Sequence, residues 1–314
     1  MKVLLTVPVT DEQFQRICEA AGDAVVVRGG TPQIDEREIA DAEVVFGRFN
    51  RRLFERAQRL RWVQTLGAGV DGLLFPEFVE SDIMLTSEKG HVGPHLAEQA
   101  FANLLALTRG VARAIRERTW ENKWQIRQAA WELTGMTMGI VGLGGTGIEV
   151  ARRAHAFGMR VLAVDPEPVV PPPFVEAVWR MDRFYDLLAQ SDVVTICAPL
   201  TPQTRGMFNL EAFRHMRRHA ILVNVTRGQI VDGPSLVQAL QEGLIGGAAL
   251  DVTPEEPLPP DHPLWAMYNV VITPHVAGAS PLRADRAVNL FCDNLRRYRA
   301  GEPLQAIIDK RKGY

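Results

Sequence analysis

The stretch Gly142-Leu143-Gly144-Gly145-Thr146-Gly147 stands between the apolar run TMGIV and the pattern GIEVARRAHAFG, and Asp165 closes the next apolar run, MRVLAV. Its glycines permit a tight strand-to-helix turn and close backbone approach, so that a pyrophosphate can rest on the positive end of the following helix. A GxGxxG triplet alone is a weak signal. Here a strand candidate precedes it, a helical pattern ending at Gly158 follows, and an acid ends the next strand candidate. Asp165 has an ordinary reading as a turn acid before Pro166. Its placement favours a hydrogen bond to an adenosine ribose, and because Pro166 and Glu167 follow rather than arginine, a 2′-phosphate would meet repulsion. NAD is therefore expected over NADP.

The loop comes only at residue 142, so something else must fold before it. A chain of 314 residues has room for roughly two domains, each with its own core. Strand candidates VLLTV, AVVV, EVVFG, RWVQT and IMLT precede the loop, separated by helical or turn segments such as DEQFQRICEA and RRLFERAQ. TMGIV, RVLAV, DVVTI, AILVNV, GGAAL and NVVIT supply six more, a full set for a doubly wound nucleotide domain. Between the two sets, PHLAEQAFANLLALTRGVARAIRERTW reads as one long connecting helix started by Pro94, with an apolar face through Ala97, Phe101, Leu104 and Leu105. In the tail, Ala284, Ala287, Val288, Phe291, Leu295 and Tyr298 have the spacing of one helix face. With the nucleotide domain already complete, that helix is expected to return to the first domain. PEPVVPPP (166–173) reads as a stiff extended loop.

Composition excludes several functions. With 35 basic and 37 acidic residues, no global charge favours nucleic acid or an anionic membrane. No uninterrupted apolar run approaches the roughly 18 residues of a membrane span, and MKVLLTVPV is too short and is broken by Pro8 for a signal peptide. Cys18, Cys197 and Cys292 form no CxxC pair, which suits a reducing compartment, and the cytoplasm is expected.

In open parallel sheets ligands bind outside the carboxyl ends of the strands, so the residue after each strand candidate carries the chemistry. These residues are polar: Asp165, Cys197-Ala198-Pro199, Arg227-Gly228, Asp251 and His275. Arg227 reads either as a surface ion-pair partner or as a planar fork matched to a carboxylate, with Gly228 letting the backbone turn sharply behind it. His275 reads either as a satisfied loop histidine or as a proton donor and acceptor near neutral pH. Glu255 and Glu256 read as a solvated acidic loop, or one of them orients the imidazole and stabilises its charged form. An arginine, a histidine and carboxylates beside a nicotinamide would reduce an anionic carbonyl compound or oxidise its alcohol.

Two histidine pairs read as bland. His215 and His219 have helical metal-ligand spacing, but FRHMRRH supplies arginines and no carboxylate close by. His91 and His95 flank Gly93-Pro94, which is expected to break the helix such spacing needs. No metal is expected.

The chain resembles the D-isomer-specific 2-hydroxyacid dehydrogenase family through LGAGVDGL (66–73), LAEQA (96–100), TGMTMGIVGLGGTG (134–147), the block from APLTPQTRGMFN to ILVNVTRGQIVD, and ALDVTPEEPLPPDHPLW running into NVVITPHVAG. The resemblance begins near residue 43 and runs to the end. It implies an α/β chain of two doubly wound parallel-sheet domains, a Rossmann NAD-binding domain (99–283) inserted into a discontinuous flavodoxin-like substrate domain (1–98 and 284–314). It implies hydride transfer between NAD(H) and a small anionic 2-oxo/2-hydroxy acid of D configuration, glyoxylate or hydroxypyruvate being preferred. Arg227 then binds the substrate carboxylate and polarises the carbonyl, and His275 is the general acid/base. Glu256, the glutamate directly before proline, is the partner of His275. Ala68 and Gly69 hold the carboxylate through their backbone amides. The cofactor set it implies is Gly142 to Gly147, Asp165, Cys197, Ala198, Pro199, Thr204, Val225, Thr226, Asp251, His275 and Gly278.

Arg48, in a loop the family turns toward substrate, reads either as holding a second anionic group or as pointing to solvent. With the sequence ending at Tyr314, the extra regulatory domain of many phosphoglycerate dehydrogenases is not expected, and Glu256 argues against formate dehydrogenase activity, since those similar enzymes carry glutamine there. Trp120, Trp124 and Trp131 read as core packing from the residues alone. The family uses this segment in a two-fold dimer, so a homodimer is expected. A second resemblance, to the C-terminal-binding-protein corepressors, carries the alternative of an NAD(H)-sensing binding protein with little turnover.

Overall fold

Each of the five apolar runs ahead of the glycine loop is a strand in the computed structural model, which describes residues 1–314. The first part runs β1 (Lys2–Leu5), α1 (Asp11–Ala21), β2 (Val25–Arg28), α2 (Pro32–Glu38), β3 (Val44–Phe46), α3 (Arg51–Arg56), β4 (Trp62–Gln64), α4 (Pro76–Val79) and β5 (Met84–Thr86). Local chemistry fixes the ends. Thr10 accepts from the Gln13 amide at 3.1 Å while the Gln13 side chain accepts from the Thr10 amide at 3.0 Å, a capping box that starts α1. Gly22, with φ +66°, ends it in a conformation costly to other residues. The strands are all parallel in the order β2-β1-β3-β4-β5, the flavodoxin-like winding.

The second part runs α5 (Gly93–Thr108), α6 (Val111–Glu117), α7 (Lys123–Ala129), β6 (Thr137–Val141), α8 (Gly145–Ala156), β7 (Arg160–Val164), β8 (Ala177–Trp179), α9 (Phe184–Gln190), β9 (Val193–Ile196), α10 (Leu210–His215), β10 (Ile221–Asn224), α11 (Gly233–Gln241), β11 (Gly247–Leu250) and β12 (Val270–Ile272). The chain then closes with α12 (Arg283–Ala300). This second sheet is also all parallel, ordered β12-β11-β10-β9-β6-β7-β8. It has seven strands rather than the six expected. The extra one, β8, is a three-residue, half-buried edge strand after the proline loop, too short to show a period.

Contacts divide the chain into Met1–Val92 with Ser280–Tyr314, and Gly93–Ala279. The joints fall a few residues ahead of the expected 98/99 and 283/284. At the first of them α5 begins with Gly93, whose missing Cβ would lie 2.6 Å from the Gly145 carbonyl, so the start of α5 packs backbone-to-backbone against α8. The expected long connecting helix is two helices. Gly110, at φ +70°, breaks it between α5 and α6.

In the first unit α12 covers the core expected of it. Val288, Phe291, Cys292 and Leu295 are buried with Val3, Leu5, Ile17, Val44, Phe46 and Trp62. Phe291 stacks on Phe46 with ring centroids 4.3 Å apart and is tilted against Trp62 at 5.3 Å. Full burial of such a side chain contributes about 2–3 kcal/mol. Ala284, expected on this face, is instead exposed in the first turn, and Leu290 and Asn294 are buried beside it. Trp120 and Trp124 are 87% and 64% exposed, so they are not core residues, whereas Trp131 packs against the core of the second unit. No helix is long and apolar enough to cross a membrane.

Candidate active site

β6 and β9 lie side by side and are the strands at which the order of the second sheet reverses. Chains leaving their carboxyl ends diverge, and a crevice opens there. Gly142 follows β6 with φ +92°, and a Cβ on it would lie 2.9 Å from the backbone of Ala198, just past the end of β9. Only glycine fits. A Cβ on Gly147 would lie 2.1 Å from the Gly142 carbonyl, so the third glycine lets α8 sit tightly on the turn. Nothing lies within 4 Å of the Cβ position of Gly144, the N-cap of α8, and no side chain caps the helix. The first-turn amides of α8 are thus left to an anion.

Asp165, largely buried, braces this turn. One carboxylate oxygen accepts from the Leu143 amide at 2.7 Å and the other from the Glu167 amide at 2.8 Å. Each oxygen keeps a further lone pair, so the same acid that shapes the loop can accept from a ribose hydroxyl. The glycines, the open N-terminus and this acid fit a dinucleotide.

At the end of β9, Thr204 donates to the Pro199 carbonyl at 2.7 Å and accepts from the Thr201 amide at 2.8 Å, folding Pro199–Thr204 into a fixed turn. Burial pushes the Cys197 thiol well up, so it stays neutral and is no nucleophile. After β10, Val225 is buried and Thr226 donates through its amide to Asn224 at 3.1 Å. The fully buried Asn224 also donates to the Arg227 carbonyl at 3.0 Å, and one Arg227 Nη1 bonds the Thr226 carbonyl at 2.9 Å.

Gly228 does not work as expected. Its φ is not in the left-handed region; instead a Cβ there would lie 1.7 Å from the Thr253 carbonyl. Close approach of two loops requires the glycine, not a sharp turn. That approach ties Arg227 to the acidic loop, because the Thr253 amide donates to Glu256 Oε1 at 3.1 Å and Glu256 Oε2 lies 2.8 Å from His275 Nδ1. A carboxylate only accepts, so Nδ1 carries the proton in this pair and Nε2 is left for proton exchange. Glu256, not Glu255, is the residue brought to the imidazole.

His275 has φ +53°, a conformation that costs a non-glycine residue on the order of 1 kcal/mol or more. Asp251, 1% exposed, holds it there. The Asp251 carboxylate accepts from Thr273 Oγ1 at 2.6 Å and from the Val276 and Ala277 amides at 3.0 and 2.8 Å, and its carbonyl accepts from the His275 amide at 2.7 Å. The imidazole itself is half exposed. Behind it, Gln99 and Asn103 of α5 both donate to Thr273 Oγ1, at 3.1 and 2.9 Å. These two and Thr273 were not singled out from the sequence, although Gln99 lies in LAEQA.

In the first unit the Leu66–Gly69 loop leaves the carboxyl end of β4, with Gly67 at φ +102° and Gly69 exposed. Arg48 is exposed after β3, with its carbonyl accepting from Thr6 Oγ1 at 2.7 Å. Its neighbours serve the fold. Phe49 is in the core and Asn50 caps α3 by accepting from the Leu53 amide at 3.0 Å.

The histidine pairs separate. His215 ends α10, with Nδ1 2.9 Å from the Glu211 carbonyl, and stacks on Tyr185. His219 lies beyond the helix, with Nε2 2.7 Å from Asp192. The expectation of no nearby carboxylate is therefore wrong for both, since Glu211 Oε1 is 3.5 Å from His215. Sequence spacing could not reveal Asp192, which arrives from another strand. Gly93 and Pro94 begin α5 rather than breaking a helix, so His95 is helical and His91 is not. No group of three or more His, Cys, Asp or Glu could hold a metal ion.

Residues 101–277 match the family model described as D-isomer specific 2-hydroxyacid dehydrogenase, NAD binding domain. A glyoxylate reductase of Korarchaeum cryptofilum is 40% identical over 257 residues, 80% of this chain and 76% of that protein. Among solved structures, a D-isomer specific 2-hydroxyacid dehydrogenase family protein of Aeromonas salmonicida superposes with TM-score 0.80 at 31% identity, covering 98% of this chain and 99% of that one. An NADPH-dependent glyoxylate/hydroxypyruvate reductase of Sinorhizobium meliloti, in complex with NADP and sulfate, gives TM-score 0.82 at 28% identity over 100% and 99% of the two chains.

Proposed function

The chain belongs to the D-isomer specific 2-hydroxyacid dehydrogenase family, and from that premise we propose that it reduces a small 2-oxo acid with NADH, glyoxylate to glycolate or hydroxypyruvate to D-glycerate. The observation that carries this reading is the His275–Glu256 pair, anchored by Asp251 beside the loop that bears Arg227. When bound, the nicotinamide supplies the hydride. Arg227 takes the substrate carboxylate and polarises the 2-oxo group, a task suited to a planar guanidinium. Ala68 and Gly69 give their backbone amides to the same carboxylate. His275 donates its Nε2 proton to the carbonyl oxygen while Nδ1–H stays on Glu256, which stabilises the charged imidazole. In the reverse direction the histidine takes the proton back.

Asp165 and the following Glu167 support NAD, since a 2′-phosphate would meet their charge. The S. meliloti relative holds NADP, so a direct comparison of NADH and NADPH is the test of that preference. In the same reading Gly142 to Gly147 take the pyrophosphate, and Cys197 to Pro199, Thr204, Val225, Thr226, Asp251 and Gly278 line the cofactor. Arg48 suits a second polar group on a substrate such as hydroxypyruvate.

The exposed Trp120 and Trp124, with the exposed Val111 and Ile115, suit burial against a second copy of the chain. We take the enzyme to be a homodimer, which light scattering at micromolar concentration checks. Three free cysteines suit a cytoplasmic address.

Steady-state oxidation of NADH against a panel of 2-oxo acids tests the function. Turnover on glyoxylate or hydroxypyruvate is expected. Tight NADH binding with no turnover on any acid would refute the enzyme reading in favour of a cofactor-sensing binding protein.

A further inference from the structure

Glu88, just beyond β5, is only 2% exposed. A buried carboxylate must be paired, and the identity of its partners shows what it holds in place. Glu88 Oε2 accepts from the Gly67 amide at 2.7 Å and from Arg283 Nη2 and Nε at 2.9 and 3.1 Å. The Glu88 amide in turn donates to the Gly67 carbonyl at 3.0 Å. One residue therefore holds both polar groups of the Gly67 backbone. Arg283, at the start of α12, lies alongside, its Nη2 3.7 Å from where a Gly67 Cβ would be. Gly67 is at φ +102°, a conformation open to glycine and costly to other residues. Ala68 and Gly69 follow directly.

The ion pair joins the segment after β5 to the start of α12, and the same carboxylate also holds the backbone of a loop. That loop is the one whose next two amides are assigned to the substrate carboxylate. We propose that Glu88 and Arg283 are positioning residues that hold Leu66–Gly69 in the conformation that presents the Ala68 and Gly69 amides to a 2-oxo acid. The inference rests on the function proposed above. Glu88 fixes the loop and Arg283 neutralises and orients Glu88. Neither touches the reacting atoms. Because an amide displaced by about 1 Å loses much of its grip, the pair governs affinity for the acid rather than affinity for cofactor.

The test uses the full-length protein with Glu88→Gln and Arg283→Met, and Glu88→Asp as the conservative variant. Three quantities are read: KM and kcat for glyoxylate, Kd for oxamate as an unreactive carboxylate probe in the presence of NADH, and Kd for NADH. Glu88→Gln is expected to raise KM and the oxamate Kd by about 10- to 100-fold, with kcat changed less than about threefold and NADH affinity unchanged. Arg283→Met should act in the same direction, and Glu88→Asp should recover part of the loss. Hydrogen exchange should quicken at residues 66–69 and stay unchanged in β5 and α12, which separates a loosened loop from an unfolded domain. Unchanged KM and oxamate Kd in a folded Glu88→Gln protein would overturn the positioning role alone. Loss of NADH affinity and of kcat alongside the rise in KM would also overturn it, by showing a global defect. Wild-type protein inert toward every 2-oxo acid would instead refute the function on which the inference rests.

Discussion

Replacing Glu256 by Gln changes the charge of the imidazole partner while keeping its shape. The carboxylate serves two donors, His275 Nδ1 at 2.8 Å on one oxygen and the Thr253 amide at 3.1 Å on the other. Glutamine has one carbonyl oxygen. If that oxygen serves His275, the amide NH2 faces the Thr253 N–H, donor against donor. If it serves Thr253, the NH2 faces Nδ1 and drives the ring proton onto Nε2, leaving no site there to accept the substrate proton in the oxidative direction. In either arrangement the imidazolium that donates the proton in reduction loses its hydrogen bond to a charged carboxylate, about 1.5–3 kcal/mol, and each 1.4 kcal/mol or so is tenfold in rate, so kcat/KM falls by about 10- to 150-fold. Side-chain exposures of 49% for His275 and 32% for Glu256 place the expected loss in the lower part of that range, because solvent screens the pair. The assay is initial-rate NADH oxidation with glyoxylate, alongside NADH binding by fluorescence, which should be unchanged. A loss below about threefold would show that Glu256 does not support the proton-transfer step.

Three further outcomes follow from named contacts. Gly228→Ala places a methyl group 1.7 Å from the Thr253 carbonyl, and because backbone must move, we expect about 1–3 kcal/mol of lost stability by thermal melting together with reduced turnover as the Arg227 and Glu256 loops separate. Asp165→Ser should raise the ratio of NADPH to NADH kcat/KM, while its loss of the acid bracing the Leu143 amide weakens binding of both cofactors. Asp192 is buried, which disfavours its charge, but the Thr137 amide, His219 and Arg217 outweigh burial and hold its carboxyl below the ordinary value of 3.8. A lowered native pKa gives stability that is present above that value and lost as pH falls through the native one. Asp192→Asn should therefore lower Tm at pH 7, and the gap from wild type should narrow below about pH 4.

The parts of this molecule legible in its sequence are those where neighbours along the chain decide the outcome. Apolar runs such as TMGIV and RVLAV became fully or largely buried parallel strands, and the periodicity of α12 marked most of the face that covers the first sheet. The glycine loop was legible because its three requirements, a turn, an open N-terminus and tight packing, each call for glycine at a fixed spacing. β8 escaped because three half-buried residues at a sheet edge carry no period. Long-range pairs escaped for a different reason. Glu88 meets Arg283, and Asp192 meets His219, only after the sheets are assembled, and neither local composition nor spacing encodes the meeting. Gly228 was noticed for the wrong property: what it faces is the carbonyl of a loop that follows a different strand. The supporting layer of Gln99, Asn103 and Thr273 behind Asp251 belongs to the same class.

Tracing the hydride tests the central claim most directly. The protein is incubated with glyoxylate and NADH carrying deuterium at C4 of the nicotinamide, on the face that donates, and the glycolate formed is analysed by mass spectrometry. The account predicts glycolate with one deuterium at C2, formed by the wild-type protein and lost to a large extent, about 10²- to 10⁴-fold in rate, in His275→Ala while NADH still binds. Label-free glycolate, or NADH that binds without any transfer to a 2-oxo acid, would contradict it.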